Sequence, residues 1–275
     1  MELRDRVVVV TGGGSGIGEA LARAAHEEGA RHVVVADLDE AAAQRVAGAV
    51  GGTGAGLDVR DETAIAAMVA ATEAAHGPVD LFCSNAGFVT SGGVEESNET
   101  IQAMWEVHVL SHVYAARAVL PSMISRGEGY LLNTASAAGL LTQIGSLAYS
   151  ITKHAAVALA EFLAVTHHHQ GVRVSVLCPQ AVRTNIIANS PNAMGRQDGD
   201  GFGPAATDGI LAPADVARAC VEAIGQARFW VLPHPEVAEY HRRKADDIDR
   251  WLAGMRRFQD RLYADRPLPG DAIAP

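Results

Sequence analysis

Short, nearly unbroken apolar runs alternate with alanine-rich stretches of helical periodicity along most of this chain. That alternation narrows the possible folds more than any other feature. Arg6 to Val10 is a β-branched run closed by glycines, and Ser15 to Glu28 then reads as a helix. Arg31 to Ala36 is the next strand, Asp39 to Val50 a helix, Gly54 to Asp58 a short strand, and Glu62 to Ala75 a helix. The pattern continues with a strand at Val79 to Ser84, a long helical region from Thr100 to Ile124 and a strand at Gly129 to Ala135. A helix over Ala148 to Thr166, a strand at Val172 to Leu177 and a last strand at Phe229 to Leu232 complete it. Strands that are apolar on both faces and separated by helices imply a parallel sheet covered on each side. Right-handed crossovers make that an α/β, doubly wound Rossmann-type domain.

No linker interrupts the alternation, so residues 1–235 are expected to form one dinucleotide-binding and catalytic domain, followed by a helical extension over 236–275. Residues 185–213, rich in Gly, Pro, Asn and Asp, read as a lid. Glu236 to Tyr263 is charged and helical. Ile248, Trp251, Met255, Phe258 and Leu262 recur every three or four positions there, giving one apolar face that packs on its own subunit or on a neighbour.

The 275 residues, 48% hydrophobic and 20% charged, have globular composition. Twenty-two Lys and Arg against 32 Asp and Glu leave a net charge of -10, which disfavours nucleic acid or an anionic membrane as a partner. The longest uncharged stretch, Tyr130 to Thr152, carries Asn133, Thr134, Ser136, Thr142, Gln143 and Ser146, too polar for a membrane helix. The N-terminus lacks an apolar signal core, and Cys83, Cys178 and Cys220 form no CxxC pair. Together these suggest a cytoplasmic protein without structural disulfides. His167-His168-His169 reads as a solvated helix end rather than a metal site, because adjacent helical residues point in different directions.

The chemistry-bearing residues begin with Thr11-Gly12-Gly13-Gly14-Ser15-Gly16-Ile17-Gly18, directly after the first strand and opening the first helix. Glycines let backbone approach a pyrophosphate, and the helix N-terminus offers unpaired N–H groups. Asp37, 19 positions after Gly18, closes the second strand. A carboxylate there accepts hydrogen bonds from an adenosine ribose and repels a 2′-phosphate, which favours NAD over NADP. Tyr149 and Lys153, four apart, share one helix face. A nearby ammonium is expected to lower the tyrosine pKa from its usual value near 10 towards that of a useful base. Ser136, 13 residues before the tyrosine at a strand's carboxyl end, is placed to orient a carbonyl or hydroxyl.

TGGGSGIG, Asn85-Ala86-Gly87, Ser136 and Tyr149-Ser-Ile-Thr-Lys153 stand in the order and spacing of the short-chain dehydrogenase/reductase family, which residues 5 to 233 resemble. The resemblance implies a homotetramer or homodimer and NAD as cofactor. Tyr149 would be the general acid/base, Lys153 would bind the nicotinamide ribose, and Ser136 would position the substrate oxygen. It assigns the dinucleotide to Gly12, Gly14, Ser15, Gly16, Ile17, Gly18, Asp37, Leu38, Asp58, Val59, Asn85, Ala86, Gly87, Pro179, Val182 and Thr184, besides Tyr149 and Lys153. Two positions depart from the family pattern. His108 stands where an Asn usually supports the water chain behind the lysine, so it substitutes for the Asn, adds a pH response or marks a slowed site. Gln180 replaces the glycine that commonly follows Pro179.

The expected reaction is hydride transfer between NAD(H) and a secondary alcohol or ketone. A pocket of mostly apolar residues (Ala137, Ala138, Leu140, Gln143, Gln180, Ala181 and the lid between Ile186 and Leu211) suggests a hydrophobic or cyclic substrate. Two other readings stay open: a dinucleotide-binding scaffold without turnover, and epimerase or dehydratase chemistry on a nucleotide sugar.

Overall fold

A computed structural model describes residues 1–190 and 203–265. The middle of the expected lid and the last ten residues of the C-terminal extension therefore lie outside the described residues. Seven parallel strands form one sheet: β1 (Val7–Thr11), β2 (His32–Asp37), β3 (Thr53–Gly56), β4 (Leu81–Ser84), β5 (Gly129–Thr134), β6 (Val172–Leu177) and β7 (Trp230–Val231). Their order across the sheet is β3-β2-β1-β4-β5-β6-β7, and every pairing is parallel. The chain reverses its direction of travel between β1 and β4. In open α/β sheets the crevice at such a reversal, beyond the strands' carboxyl ends, is where ligands bind.

Val7 to Val10 are wholly buried, as a strand covered on both faces requires. Val8 and Val10 join the core under α1 (Gly16–Glu27) and α2 (Glu40–Ala49), whereas Val7 and Val9 join the core on the opposite face. Each such side chain contributes about 1.5–3 kcal/mol on leaving water. α3 (Glu62–His76), α4 (Asn98–Trp105), α5 (Ser111–Arg126), α6 (Ala138–Leu141) and α7 (Leu147–His167) follow in chain order. α8 (Pro213–Gln226), which packs against α1, precedes α9 (Glu236–Asp246) and α10 (Ile248–Leu262).

Two expected helices are each divided. The region expected as one helix from Thr100 to Ile124 passes through a π-turn at Glu106–Leu110 between α4 and α5. A π-turn inserts one residue into the helical register, and here it keeps Trp105 at the surface while His108 and His112 are buried. The C-terminal helix breaks at Asp247, whose extended backbone ends α9 and whose carboxylate accepts from Arg250 N to cap α10. Val237 of α9 enters the core, whereas α10 buries no residue. Among the described residues no helix is long and apolar enough to cross a membrane.

Candidate active site

The turn after β1 is built around glycine. Gly12 and Gly16 have φ of 62° and 55°, backbone that favours glycine. A Cβ on Gly18 would stand 2.0 Å from the Gly12 carbonyl oxygen. Ser15 occupies the N-cap of α1 without a side-chain cap bond, so the first N–H groups of the helix, from Gly16 and Ile17 onward, receive no help from it. Thr184, beyond β6, comes against the same turn: a Cβ on Gly16 would meet its Cγ2 at 3.0 Å.

Asp37 closes the turn from the end of β2. Its Oδ2 accepts from Gly14 N at 2.9 Å and its Oδ1 from Asp39 N at 3.1 Å. Leu38, beside it, is 76% exposed, an apolar surface next to the carboxylate. Asp58 is turned to Arg60, whose guanidinium holds its carboxyl below the usual range, and Val59 is buried. Sequence reasoning missed Arg45. From α2, its Nη2 donates to the Gly14 carbonyl at 2.7 Å and pairs with Glu19 at 3.2 Å. It lies 31 residues from the loop in sequence, and local pattern carries no sign of the contact.

Asn85 ties three strand ends together. Its Nδ2 donates to the Thr11 and Gly12 carbonyls, its backbone N donates to Thr11 Oγ1, and its Oδ1 accepts from Thr134 Oγ1 of β5. A Cβ on Gly12 would sit 2.8 Å from Ala86 Cα, and one on Gly87 would lie 3.6 Å from Lys153 Nζ. Asn85-Ala86-Gly87 thus runs between the glycine turn and Lys153.

Ser136, just past β5, is buried. Its Oγ donates towards the Pro179 carbonyl at 3.4 Å and accepts from Ala138 N at 3.1 Å. Ala137, Ala138, Leu140 and Ala181 are buried around it. Tyr149 hydrogen-bonds Ser136, and Lys153 Nζ lies 5.6 Å from the centre of the tyrosine ring. The structure therefore brings Ser136, Tyr149 and Lys153 together. Lys153 is 3% exposed, and its amine donates to the Thr134 carbonyl at 3.0 Å. Burial lowers its pKa to about 7.

The tyrosine departs from expectation. Burial is the largest influence and raises its pKa, the bond to Ser136 pulls the other way, and Lys153 is not among the causes.

His108 is buried, and two contacts define its tautomer. Phe88 N donates to Nε2 at 3.2 Å, while Nδ1 lies 2.9 Å from Thr152 Oγ1. Thr152 spends its own proton on the Ala148 carbonyl, so the histidine Nδ1–H must donate to it. Burial, then Lys153 and His112, hold His108 well below its ordinary pKa. One turn further, His112 is 2% exposed, and neither of its ring nitrogens has a hydrogen-bond partner among the described residues. Sequence reasoning passed it over.

On the substrate side, Gln143 N donates to Ser150 Oγ at 2.9 Å. Gln180 is anchored twice: its N donates to His234 Nδ1 at 3.2 Å and its Nε2 to Asp208 Oδ2 at 2.7 Å. Val182 bridges to Leu211, which returns the lid segment to β6, and Ile186 N donates to Thr184 Oγ1.

The family model for short chain dehydrogenase matches residues 6–195. The chain belongs to the short-chain dehydrogenase/reductase family. It is 33% identical over 262 residues to a 1-deoxy-11-beta-hydroxypentalenate dehydrogenase of Streptomyces exfoliatus, covering 92% of each chain. It is also 33% identical over 195 residues to a meso-2,3-butanediol dehydrogenase of Serratia marcescens, covering 70% of this chain and 77% of the other. A short-chain dehydrogenase/reductase of Burkholderia phymatum solved with NAD matches over the full length of both chains, at 30% identity and a TM-score of 0.80. As a member of this family the protein is an oxidoreductase acting on CH–OH groups, and a nicotinamide dinucleotide is its cofactor.

Proposed function

We propose that the protein is an NAD-dependent dehydrogenase of secondary alcohols, with Ser136, Tyr149 and Lys153 as its catalytic residues. The observation that carries this reading is their convergence past the carboxyl end of β5, across Asn85-Ala86-Gly87 from the glycine turn. The turn fits a dinucleotide. Its glycines let the turn pack tightly against Ala86, Asp37 and Thr184, where a Cβ would clash, and the first N–H groups of α1 are without a side-chain cap. Gly12, Gly14, Ser15, Gly16, Ile17 and Gly18 would hold the phosphates. Asp37 and Leu38 would take the adenosine ribose and ring, with Asp58, Val59 and Asn85 to Gly87 alongside. Pro179, Val182 and Thr184 would flank the nicotinamide.

Asp37 favours NAD over NADP, because its Oδ2 faces the glycine loop at Gly14 N and a 2′-phosphate there would meet its charge. Arg45 does not reverse this, since Glu19 pairs with its guanidinium. When bound, the nicotinamide supplies the hydride acceptor or donor.

The chain's own residues handle the oxygen and its proton. Ser136 Oγ donates to the substrate oxygen, and Tyr149 Oη gives or takes the hydroxyl proton. Protonation of Lys153 adds the charge that draws the phenol down, and a pKa near 7 places that step at physiological pH. His108, fixed as a donor through Nδ1, is a neutral support of α7 rather than a proton carrier. Ala138, Gln143 and Gln180 line the substrate side, and the buried alanines and Leu140 around Ser136 suit a hydrophobic or cyclic alcohol. The segment after residue 235 is an extension of the same domain, and assembly into a homotetramer or homodimer accompanies the reading.

An NADH-absorbance assay over a panel of secondary alcohols tests it. Tyr149→Phe is expected to lower turnover at least about 10³-fold with dinucleotide affinity retained. Dinucleotide binding by the unaltered protein without turnover of any alcohol favours the non-catalytic scaffold. Substrate conversion with NAD recovered unchanged favours epimerase or dehydratase chemistry.

A further inference from the structure

One amide on the segment that supports the serine is held more firmly than a lining residue requires. Gln180 follows Pro179, whose carbonyl accepts from Ala137 N at 2.9 Å and faces Ser136 Oγ at 3.4 Å, so this glutamine lies one peptide from the serine's support. Its backbone N is fixed on His234 Nδ1, which leaves that imidazole's proton on Nε2. Its side chain meets Asp208, and a carboxylate only accepts. The NH₂ end of the amide must therefore face Asp208, and the carbonyl end Oε1 must face away. Asp208 is itself secured from the C-terminal extension, because Tyr240 Oη donates to its other oxygen at 3.0 Å. The aromatic ring of Trp251 in α10 lies 6.5 Å from that of Tyr240.

α9 grips the far side of the pocket as well. One turn after Tyr240, Lys244 Nζ donates to the Leu140 carbonyl of α6 at 2.6 Å. A single helix face thus joins the segment after β6 to the helix after β5, the two segments that flank Ser136. The side chains of Asp208 and Tyr240 orient the amide of Gln180, and the end they leave uncommitted is an acceptor. A pocket that only excluded water from a hydrocarbon would gain nothing from such an arrangement, since an acceptor left unpaired beside bound substrate costs binding.

We infer that Gln180 is the specificity-determining residue of this enzyme. Its Oε1, aimed by Asp208 and Tyr240, accepts a hydrogen bond from a second hydroxyl on the carbon next to the reacting carbinol. The substrate class is then vicinal diols and the corresponding α-hydroxyketones, carried on an otherwise apolar frame. This rests on the dehydrogenase reading above. Asp208 and Tyr240 are positioning residues that act through the glutamine.

The test compares 1,2-cyclohexanediol with 2-methoxycyclohexanol, and 2,3-butanediol with 3-methoxy-2-butanol. Each pair differs by whether the neighbouring oxygen carries a proton. Wild-type enzyme with NAD is expected to favour the diol in kcat/KM at least about tenfold, because a site built to bond a hydroxyl discriminates strongly against its absence. Gln180→Leu brings the ratio to about one. Tyr240→Phe and Asp208→Asn reduce it, through a rise in KM for the diol rather than a fall in kcat. Melting temperature and dinucleotide affinity verify that the variants are folded. Wild-type enzyme that oxidises both members of each pair equally overturns the inference and leaves the dehydrogenase reading standing, as does a preference that survives Gln180→Leu. Protein that oxidises other secondary alcohols but none of the four overturns this inference alone, and protein that binds NAD and oxidises no secondary alcohol overturns the dehydrogenase reading and this inference with it.

Discussion

Lys153→Met is expected to make the dinucleotide-free protein more stable while abolishing its turnover. The amine is 3% exposed, carries one hydrogen bond, to the Thr134 carbonyl, and has a pKa lowered by burial from 10.5 to about 7. In the unfolded chain it is protonated up to about pH 10, so at pH 7 and below the folded state bears the cost of that shift, roughly 5 kcal/mol. Methionine keeps a stem of similar length and removes the amine, while losing the bond to Thr134 returns about 1 kcal/mol. The net gain is about 4 kcal/mol. For a chain of this size that is a rise in Tm of about 8 °C, at roughly 2 °C per kcal/mol.

The pH dependence is the sharper part. The folded pKa is depressed, so the destabilisation is complete at and below pH 7 and fades as pH rises towards 10.5. The gap between variant and wild type therefore narrows by about 1.4 kcal/mol, or about 3 °C, for each pH unit above 7. Differential scanning calorimetry at pH 6, 7, 8 and 9, without dinucleotide, measures it. A variant that melts below wild type at pH 7, or a gap that ignores pH, refutes the claim that Lys153 is held against its own solvation.

Three further outcomes follow from particular contacts. Asp37→Ser removes the charge facing the loop and leaves Arg45 beside Gly14, so the ratio of kcat/KM with NADP to that with NAD is expected to rise at least about tenfold, read by steady-state kinetics. Gly18→Ala drives a Cβ to 2.0 Å from the Gly12 carbonyl, where backbone must move; dinucleotide affinity by titration calorimetry is expected to fall at least about 100-fold. His112→Leu replaces a buried ring with two unpartnered nitrogens, one held to a pKa of about 3 by burial, and chemical denaturation is expected to show a gain of about 1–2 kcal/mol.

Much of the fold was legible because its signals are local. Val7 to Val10 could only be a strand buried on both faces, and the glycines that end it only a turn that approaches something closely. Tyr149 and Lys153 were legible together because a four-residue spacing on a helix places both on one side. The π-turn was not, because inserting one residue leaves the apolar periodicity on either side intact, and only packing reveals that His108 and His112 both turn inward. The rise in the tyrosine pKa was hidden for another reason: a sequence gives charges but not their solvation, and burial of the phenol itself outweighs the pull of Ser136. Arg45 on Gly14, and Tyr240 on Asp208 on Gln180, join residues 28 to 32 positions apart. Chain order gives no cue to such meetings.

The amide of Asn85 gives the molecule one fastening for two tasks. The turn proposed to cradle the pyrophosphate and the strand that delivers Ser136 both hang from that side chain, so any loosening at the end of β4 slackens both together. Mild denaturant should therefore extinguish dinucleotide affinity and turnover along a single curve, with no intermediate that has kept one and lost the other.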